Sequence, residues 1–168
     1  MAFEVEDGTG LIDSTSYVAV ADADAYHTDR GNTAWTDADT DLKQQALIRA
    51  TQALDQYGLE RYIGTRSTST QALEWPRTDA VDRNGFTLTG IPVAVKQATY
   101  DAGLAELTTP YALTPTLERG GAVKMERVEG AVTVEYDTSA PSVTVYTTVT
   151  RALAPVLSTG SAMRVVRV

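Results

Sequence analysis

The sequence predicts a mainly α-helical protein with a small β part, and three observations lead to this fold class. Three segments space their apolar residues as one face of a helix does, and a long segment between two of them has no periodicity. Alternating apolar residues occur near the carboxyl end, which is typical of strands. Together they indicate a three-helix core domain, a long tryptophan-containing loop, a β-hairpin and an extended C-terminal arm.

The first two helices are predicted from apolar residues three and four positions apart. The first covers about 21–30 and is followed by Gly31, a residue that often ends helices. Residues 32–35 are interpreted as a turn. The second helix covers about 39–57, with a longer apolar stripe and with acids at its start, where the helix dipole favours them. We expect it to end at Gly58.

The third helix is predicted over about 92–107, and it begins at a proline, which suits the first position of a helix. Its alanine and glycine residues permit close approach of a neighbouring helix. One face includes Thr99, Asp101 and Gly103, and this face is less apolar than expected for an internal helix.

The long loop of about 59–91 contains Trp75, one of two tryptophans, directly before Pro76. Proline crowds the residue before it out of the α region, so Trp75 is expected in an extended conformation, with Arg77 after a fixed bend. An Asn-Gly pair directly after Arg83 predicts a tight turn between two short extended pieces. Trp75 and Pro76 are interpreted as anchors that pin the loop to the helices and present Arg77 and Arg83 to a partner.

Residues 111–168 are expected to pack on the core domain of residues 1–110 or on neighbouring subunits. They begin with a linker-like segment, and the alternating apolar residues of 123–136 then predict a β-hairpin. A short helix is expected to stop near Pro155. In the arm that follows, arginines alternate with valines, which suits a strand added to another chain. The proposed docking residues are Arg164, Val165, Val166, Arg167 and Val168.

Charge is unevenly distributed along the 168 residues, whose net charge is -8. Residues 1–60 hold twelve acids against three bases, whereas residues 61–168 hold eleven bases against ten acids. An acidic first third repels a phosphate backbone, and phosphate contacts supply most non-specific nucleic-acid affinity. Tight DNA binding through that region is therefore not expected.

Composition and motifs argue against an enzyme, a metal site or a bound cofactor. Cysteine is absent and His27 is the single histidine, so cysteine-based and imidazole-rich metal sites are excluded. Neither of the acidic ladders, over 22–26 and 37–41, has the glycine and glutamate of a calcium-binding loop. No nucleophile elbow or nucleotide-binding loop occurs. We expect a protein made and kept soluble, because neither a signal peptide nor an apolar run of membrane-spanning length is present.

Three roles remain open for the aromatic and basic residues of the loop. Single-stranded DNA binders combine stacking aromatics with a basic groove, and in that role the site would be Tyr62, Arg66, Trp75 and Arg77. Against this role, the same stretch has no lysine and includes two glutamates. The other two roles are a core anchor for the loop and a contact with another protein chain.

The order of several segments resembles a family encoded among the head-assembly genes of tailed bacteriophages, often labelled DnaT-like single-stranded-DNA-binding proteins. These segments are EDGTGLIDSTSYVAVADADAYHTDRGN, an alanine-rich helix, TQALEWPRTDAVDRNG, IPVAVKQA and LERGGAVKMERVEG. The resemblance is nearly end to end. The family also resembles head–tail adaptor, or head-completion, proteins, which implies a small helical domain in a ring beneath the portal.

The resemblance implies partners and a location as well. The partners would be further copies in a ring, dodecameric by resemblance, the portal protein and the next neck or tail protein, with no membrane involved. The arm would engage the portal, and the genome would pass through the ring without specific binding. The location would be the head–tail junction of the virion, after assembly in the host cytoplasm. The alternative is a DnaT-like replication protein that binds single-stranded DNA.

Overall fold

The computed structural model describes residues 2–114, 125–128, 132–135 and 146–158, the two short ranges by their backbone alone. The chain is mainly helical with a small antiparallel β part, so the predicted fold class is confirmed. The helices of the described part are α1 (Val20–Thr28), α2 (Thr33–Thr36), α3 (Thr40–Gly58), α4 (Val93–Thr108) and α5 (Thr147–Leu153), and a 3-10 turn (Ala154–Val156) follows α5.

Helices α3 and α4 form the centre of the core, and α4 buries more of its surface than its pattern suggests. The hydroxyl of Thr99 is buried and donates to the carbonyl of Val95 at 2.8 Å, within its own helix. Gly103 faces Leu47 and Trp35, and a Cβ atom on it would lie 3.0 Å and 3.3 Å from their side chains. This less apolar face is nevertheless buried at Thr99 and Gly103, because Thr99 satisfies its own hydroxyl and Gly103 makes room for its neighbours.

The predicted helices are present, with ends that differ by one or two residues. The first ends at Thr28 rather than residue 30, the second spans Thr40–Gly58, and the third begins after Pro92. The interpretation of residues 32–35 as a turn is wrong, because Thr33–Thr36 form the short helix α2. Its four residues are too few to show a helical period, and its buried Trp35 places it on the core.

Two antiparallel strand pairs make up the β part of the described residues. Strands β1 (Thr65–Arg66) and β2 (Arg77–Thr78) pair within the long loop. Strands β3 (Met125–Val128) and β4 (Val132–Glu135) form the hairpin that alternation predicts. The predicted tight turn is also present, because Val81 and Thr87 pair across it.

The short helix before Pro155 is confirmed as α5, and it packs against α4 through Val149 and Leu153. Leu157 then pairs with Tyr62 of the long loop, so the described C-terminal residues lie on the core. The boundary near residue 110 stays a prediction, and the arm of residues 164–168 lies outside the described residues. No helix in the described ranges is long and apolar enough to cross a membrane.

Candidate interaction surface

The long loop is attached to α3 by a half-buried carboxylate that the sequence pattern does not reveal. Asp55 accepts one hydrogen bond from the Tyr17 hydroxyl and a second, of 3.1 Å, from the backbone N–H of Glu74. The Tyr17 oxygen also accepts from the backbone N–H of Trp75 at 3.2 Å. We call Tyr17, Asp55 and the two backbone N–H groups the loop latch, because they join the N-terminal segment, α3 and the loop.

Burial decides the protonation behaviour of the latch. Loss of water contact raises the pKa of Asp55 to about 7, although the Tyr17 hydroxyl and the Glu74 N–H both favour its charged form. Burial likewise raises the pKa of Tyr17 and of the neighbouring Tyr62. The two phenols therefore stay neutral near neutral pH, while Asp55 changes its charge there.

Trp75 is fully buried beneath this latch. Its ring packs edge-on against Tyr62, with 5.8 Å between the ring centroids, and the buried Pro76 follows through a cis peptide bond. The Tyr62 hydroxyl donates to the carbonyl of Leu54 at 3.1 Å, within α3. No described residue accepts a hydrogen bond from the Trp75 indole N–H. The two rings therefore pack against the core and present little of their surface to solvent.

Arg77 closes the base of the loop. Its guanidinium donates to the carbonyls of Ile63 and Gly64, at 3.0 Å and 2.9 Å, and to the Glu74 carboxylate at 2.7 Å. Arg66 lies opposite Arg77 in the β1–β2 pair, and its guanidinium donates to the carbonyl of Gln71. Both arginines therefore hold backbone segments of the loop together.

The loop ends in a turn over residues 81–87 that holds itself together. The Asp82 carboxylate accepts from the backbone N–H groups of Asn84 and Phe86, at 2.8 Å and 2.9 Å. These bonds, that of Phe86 first, lower the pKa of Asp82, so this carboxyl is charged at neutral pH. The turn leaves Val81 45% exposed and Phe86 69% exposed. Such apolar side chains on a fixed turn suit contact with another macromolecule.

Two clefts adjoin this turn and form the turn groove. One, of about 390 Å³, includes Ile63 and Val81 in its lining, and the other, of about 400 Å³, includes Val93, which is 68% exposed. Asp82 and Pro155 line both clefts, so the clefts meet there. The lining is mainly apolar, and Arg83 and Asp82 supply its charged groups.

Six basic side chains of the described residues are engaged within the chain. Three form ion pairs of 3.1 Å or less with carboxylates, two stack on tyrosine rings and one binds a backbone carbonyl. The ion pairs are formed by Lys43, Arg49 and Arg77, the stacking contacts by Arg30 and Arg61, and the carbonyl contact by Arg66. A groove that tracks a nucleic-acid backbone needs cations that face solvent. Lys43, Arg49 and Arg77 are held by carboxylates within the fold, whereas Arg30, Arg61 and Arg66 keep exposed surface.

His27 and Asp24, a residue of the first acidic ladder, form hydrogen bonds within the fold. The His27 ring lies between the Tyr100 carbonyl, 3.2 Å from Nε2, and the Asn32 amide, 2.9 Å from Nδ1. Burial lowers the pKa of His27, so the ring is neutral at neutral pH. Asp24 accepts from the Trp35 indole N–H at 2.8 Å. Within the described ranges, no three His, Asp or Glu side chains are grouped as metal ligands would be.

The structure brings the four residues of the DNA-binding interpretation together, but two of them face inward. Tyr62 is 5% exposed and Trp75 is 0% exposed, so neither offers a base a free face for stacking. Arg77 is half-buried in its contacts, and Arg66 is exposed. Of the residues proposed for a partner, Arg83 is exposed on the turn, whereas Pro76 is buried. Residues 164–168 lie outside the described ranges.

Sequence reasoning missed the latch and the apolar side chains around the turn. Asp55 lies beside the apolar stripe of α3, and no local pattern distinguishes it from a solvated acid. Val81, Phe86 and Val93 did carry a signal, because apolar residues beside a tight turn or a helix start have few local partners.

The fold and this surface define a class of protein: a small, mainly helical domain that presents a locked loop with an apolar tip. The sequence model of one family, described as "Putative DnaT-like ssDNA binding protein", matches residues 1–168. The chain belongs to this family. Comparison with curated proteins and with solved structures found no match.

Proposed function

We propose that the chain is a head–tail adaptor of a tailed bacteriophage, a structural protein rather than an enzyme. It forms a ring below the portal, connects the DNA-filled capsid to the tail, and belongs to the head–tail junction of the virion. Its partners are copies of itself, the portal protein and the next neck or tail protein. The resemblance of its family to head-completion proteins supports this proposal.

The observation that supports the proposal best is the contrast between the buried and the exposed parts of the loop. Tyr62 and Trp75, the rings suited to stacking on bases, are packed into the core. The exposed tip instead presents Val81 and Phe86, with Val93 beside the adjoining groove. Rings are built from head-to-tail contacts in which one surface of each subunit meets a different surface of the next. An exposed apolar tip on a rigid loop suits such a contact.

Charge supports the same proposal. Residues 1–60 hold twelve acids against three bases. An acidic ring can surround DNA without holding it, since a channel that passes a genome gains nothing from binding phosphates. The C-terminal arm, with Arg164 and Arg167, is proposed to dock on the portal or on a neighbouring subunit.

The second candidate function is single-stranded DNA binding, and the description of the family favours it. In this protein that function would require Tyr62 and Trp75 to leave the core, because both rings are buried. It would also require Arg77 to leave the carbonyls of Ile63 and Gly64. Opening of the loop would therefore have to precede binding.

One experiment separates the two functions. A fluorescently labelled single-stranded oligonucleotide is titrated with the purified protein at low and physiological salt, while sedimentation follows the same samples with and without portal protein. The adaptor predicts no salt-sensitive binding and a ring that forms when portal is added. Micromolar or tighter binding that weakens with salt, without any portal-dependent ring, would support the DNA-binding function instead.

A further inference from the structure

The turn groove is a mainly apolar feature of the described surface, and the same sequence contains a candidate occupant for it. We propose that the turn groove of one copy of the chain binds residues 159–168 of another copy. This inference rests on the proposed function, because a ring needs head-to-tail contacts, and it names the two surfaces that would form them. It assigns the arm to a neighbouring subunit rather than to the portal.

The groove and the segment match in composition. Apolar side chains of Ile63, Val81 and Val93 line the groove, while Asp82 places a negative charge where its two clefts meet. Residues 159–168, with the sequence TGSAMRVVRV, supply three valines, one methionine and two arginines, and they contain no acid. Arg83 also lines the groove and is the one basic residue of its lining. An arginine of the segment can therefore pair with Asp82 while the valines cover the apolar walls.

The direction of the chain favours a second copy over the same copy. The backbone N–H of Ile63 donates to Val156 at 3.1 Å, and that of Ser158 donates to Arg61 at 2.6 Å. The chain therefore runs from Pro155, which lines both clefts, along the wall of one cleft to Ser158 beside Arg61, and so away from Val93 in the other cleft. To fill its own groove as far as Val93, the chain would have to reverse and pass back over Pro155. A segment from a neighbour needs no reversal.

The segment is long enough to reach a neighbour. Ten extended residues span up to about 33 Å, which is roughly the diameter of a small domain. A segment that leaves one copy at Ser158 can therefore cross to the groove of the next. Since each copy has one groove and one segment, the contact repeats from copy to copy as a head-to-tail ring requires.

The absence of cysteine from the sequence permits a direct test by disulfide trapping. One full-length variant carries Thr87→Cys at the groove, and another carries Val166→Cys in the segment. Mixed and oxidised, the two can join only between different copies. The matched control replaces Thr87→Cys by Leu42→Cys, which is also exposed and lies in the first turn of α3. Leu42 is not part of the lining of either cleft, whereas Thr87 lines one of them.

We expect the mixed disulfide with Thr87→Cys to exceed that with Leu42→Cys roughly tenfold, because docking raises the local thiol concentration far above that in bulk solution. Arg164→Glu with Arg167→Glu in the segment variant should reduce the yield several-fold, whereas Arg164→Lys with Arg167→Lys should retain it. Equal yields at the two positions, or no mixed disulfide with portal absent or present, would overturn the proposal.

A chain carrying both Thr87→Cys and Val166→Cys tests for binding within one copy. We expect covalent dimers and longer products whose amount rises with protein concentration. A purely intramolecular disulfide, unchanged on dilution, would overturn the proposal. Sedimentation with portal separates this inference from the proposed function. A portal-dependent ring without trapping refutes the groove alone, whereas trapping without such a ring refutes the adaptor and retains the groove.

Discussion

Replacing Trp75 by alanine should destabilise the monomer strongly. The indole is 0% exposed and packs against Tyr62, so its removal deletes a full aromatic side chain from the core. Truncations of buried tryptophan or phenylalanine cost about 3–5 kcal/mol. The Trp75 N–H has no acceptor among the described residues, and removing an unsatisfied donor offsets about 1 kcal/mol. We therefore expect a loss near ~3 kcal/mol, at the lower end of the range.

Equilibrium unfolding in urea, followed by far-UV circular dichroism, measures this loss without relying on tryptophan fluorescence. At about 1.5 kcal/mol per molar urea, the midpoint should fall by ~2 M. Phe86→Ala is the matched control, because this aromatic ring is 69% exposed, and its effect should stay within ~0.5 kcal/mol. A loss below ~1 kcal/mol for Trp75→Ala, with assembly on the portal abolished, would show that Trp75 is a contact residue and refute the core assignment.

Three further predictions concern the latch, one close contact and the N-terminal loop. Burial raises the pKa of Asp55 to about 7, above its unfolded value, so its contribution to stability should be lost as pH rises from about 4 through 7, by roughly 4 kcal/mol at most. A constant difference in unfolding free energy between the wild type and Asp55→Asn across this window would contradict the assignment. Gly58→Ala should cost ~1–3 kcal/mol, because a Cβ atom would overlap the Tyr62 ring; in a Tyr62→Ala background, urea unfolding should detect no such cost. Glu6→Gln should cost ~1–3 kcal/mol of unfolding free energy in thermal and urea unfolding. The reason is that the Glu6 carboxylate accepts hydrogen bonds of 2.9–3.0 Å from three backbone N–H groups and one hydroxyl. An unchanged midpoint would show that these bonds do not hold the N-terminal loop.

Local pattern predicts much of the fold of this protein and little of its candidate site. The stripes of α3 and α4 and the alternation of the hairpin depend on near neighbours in sequence, so the pattern finds them. The burial of Gly103 depends on distant partners, Leu47 and Trp35, and residue type alone does not show that Gly103 or Thr99 is buried. The latch joins Tyr17 to Asp55, 38 positions apart, and no local signal marks such a pair.

The loop illustrates how one observation in the sequence can support different roles. From the sequence alone, the interleaved aromatic and basic residues suggest a site that stacks nucleic-acid bases, formed by Tyr62, Arg66, Trp75 and Arg77. In the structure the aromatic members fill the core and the arginines bind loop carbonyls. Whether a residue binds a ligand or holds the fold depends on its exposed surface, which the sequence does not specify.

The self-contained construction of the turn has a consequence for how this surface can diversify. The pairing of Val81 with Thr87 and the hydrogen bonds that the Asp82 carboxylate accepts close the turn without contacts from the helices. Exchanges at Arg83, at Phe86 or in the turn length should therefore leave the core intact. Variants of this fold can thus acquire new binding preferences by mutation within the turn of residues 81–87. A combinatorial library confined to this turn would sample different binding specificities with little loss of folding stability.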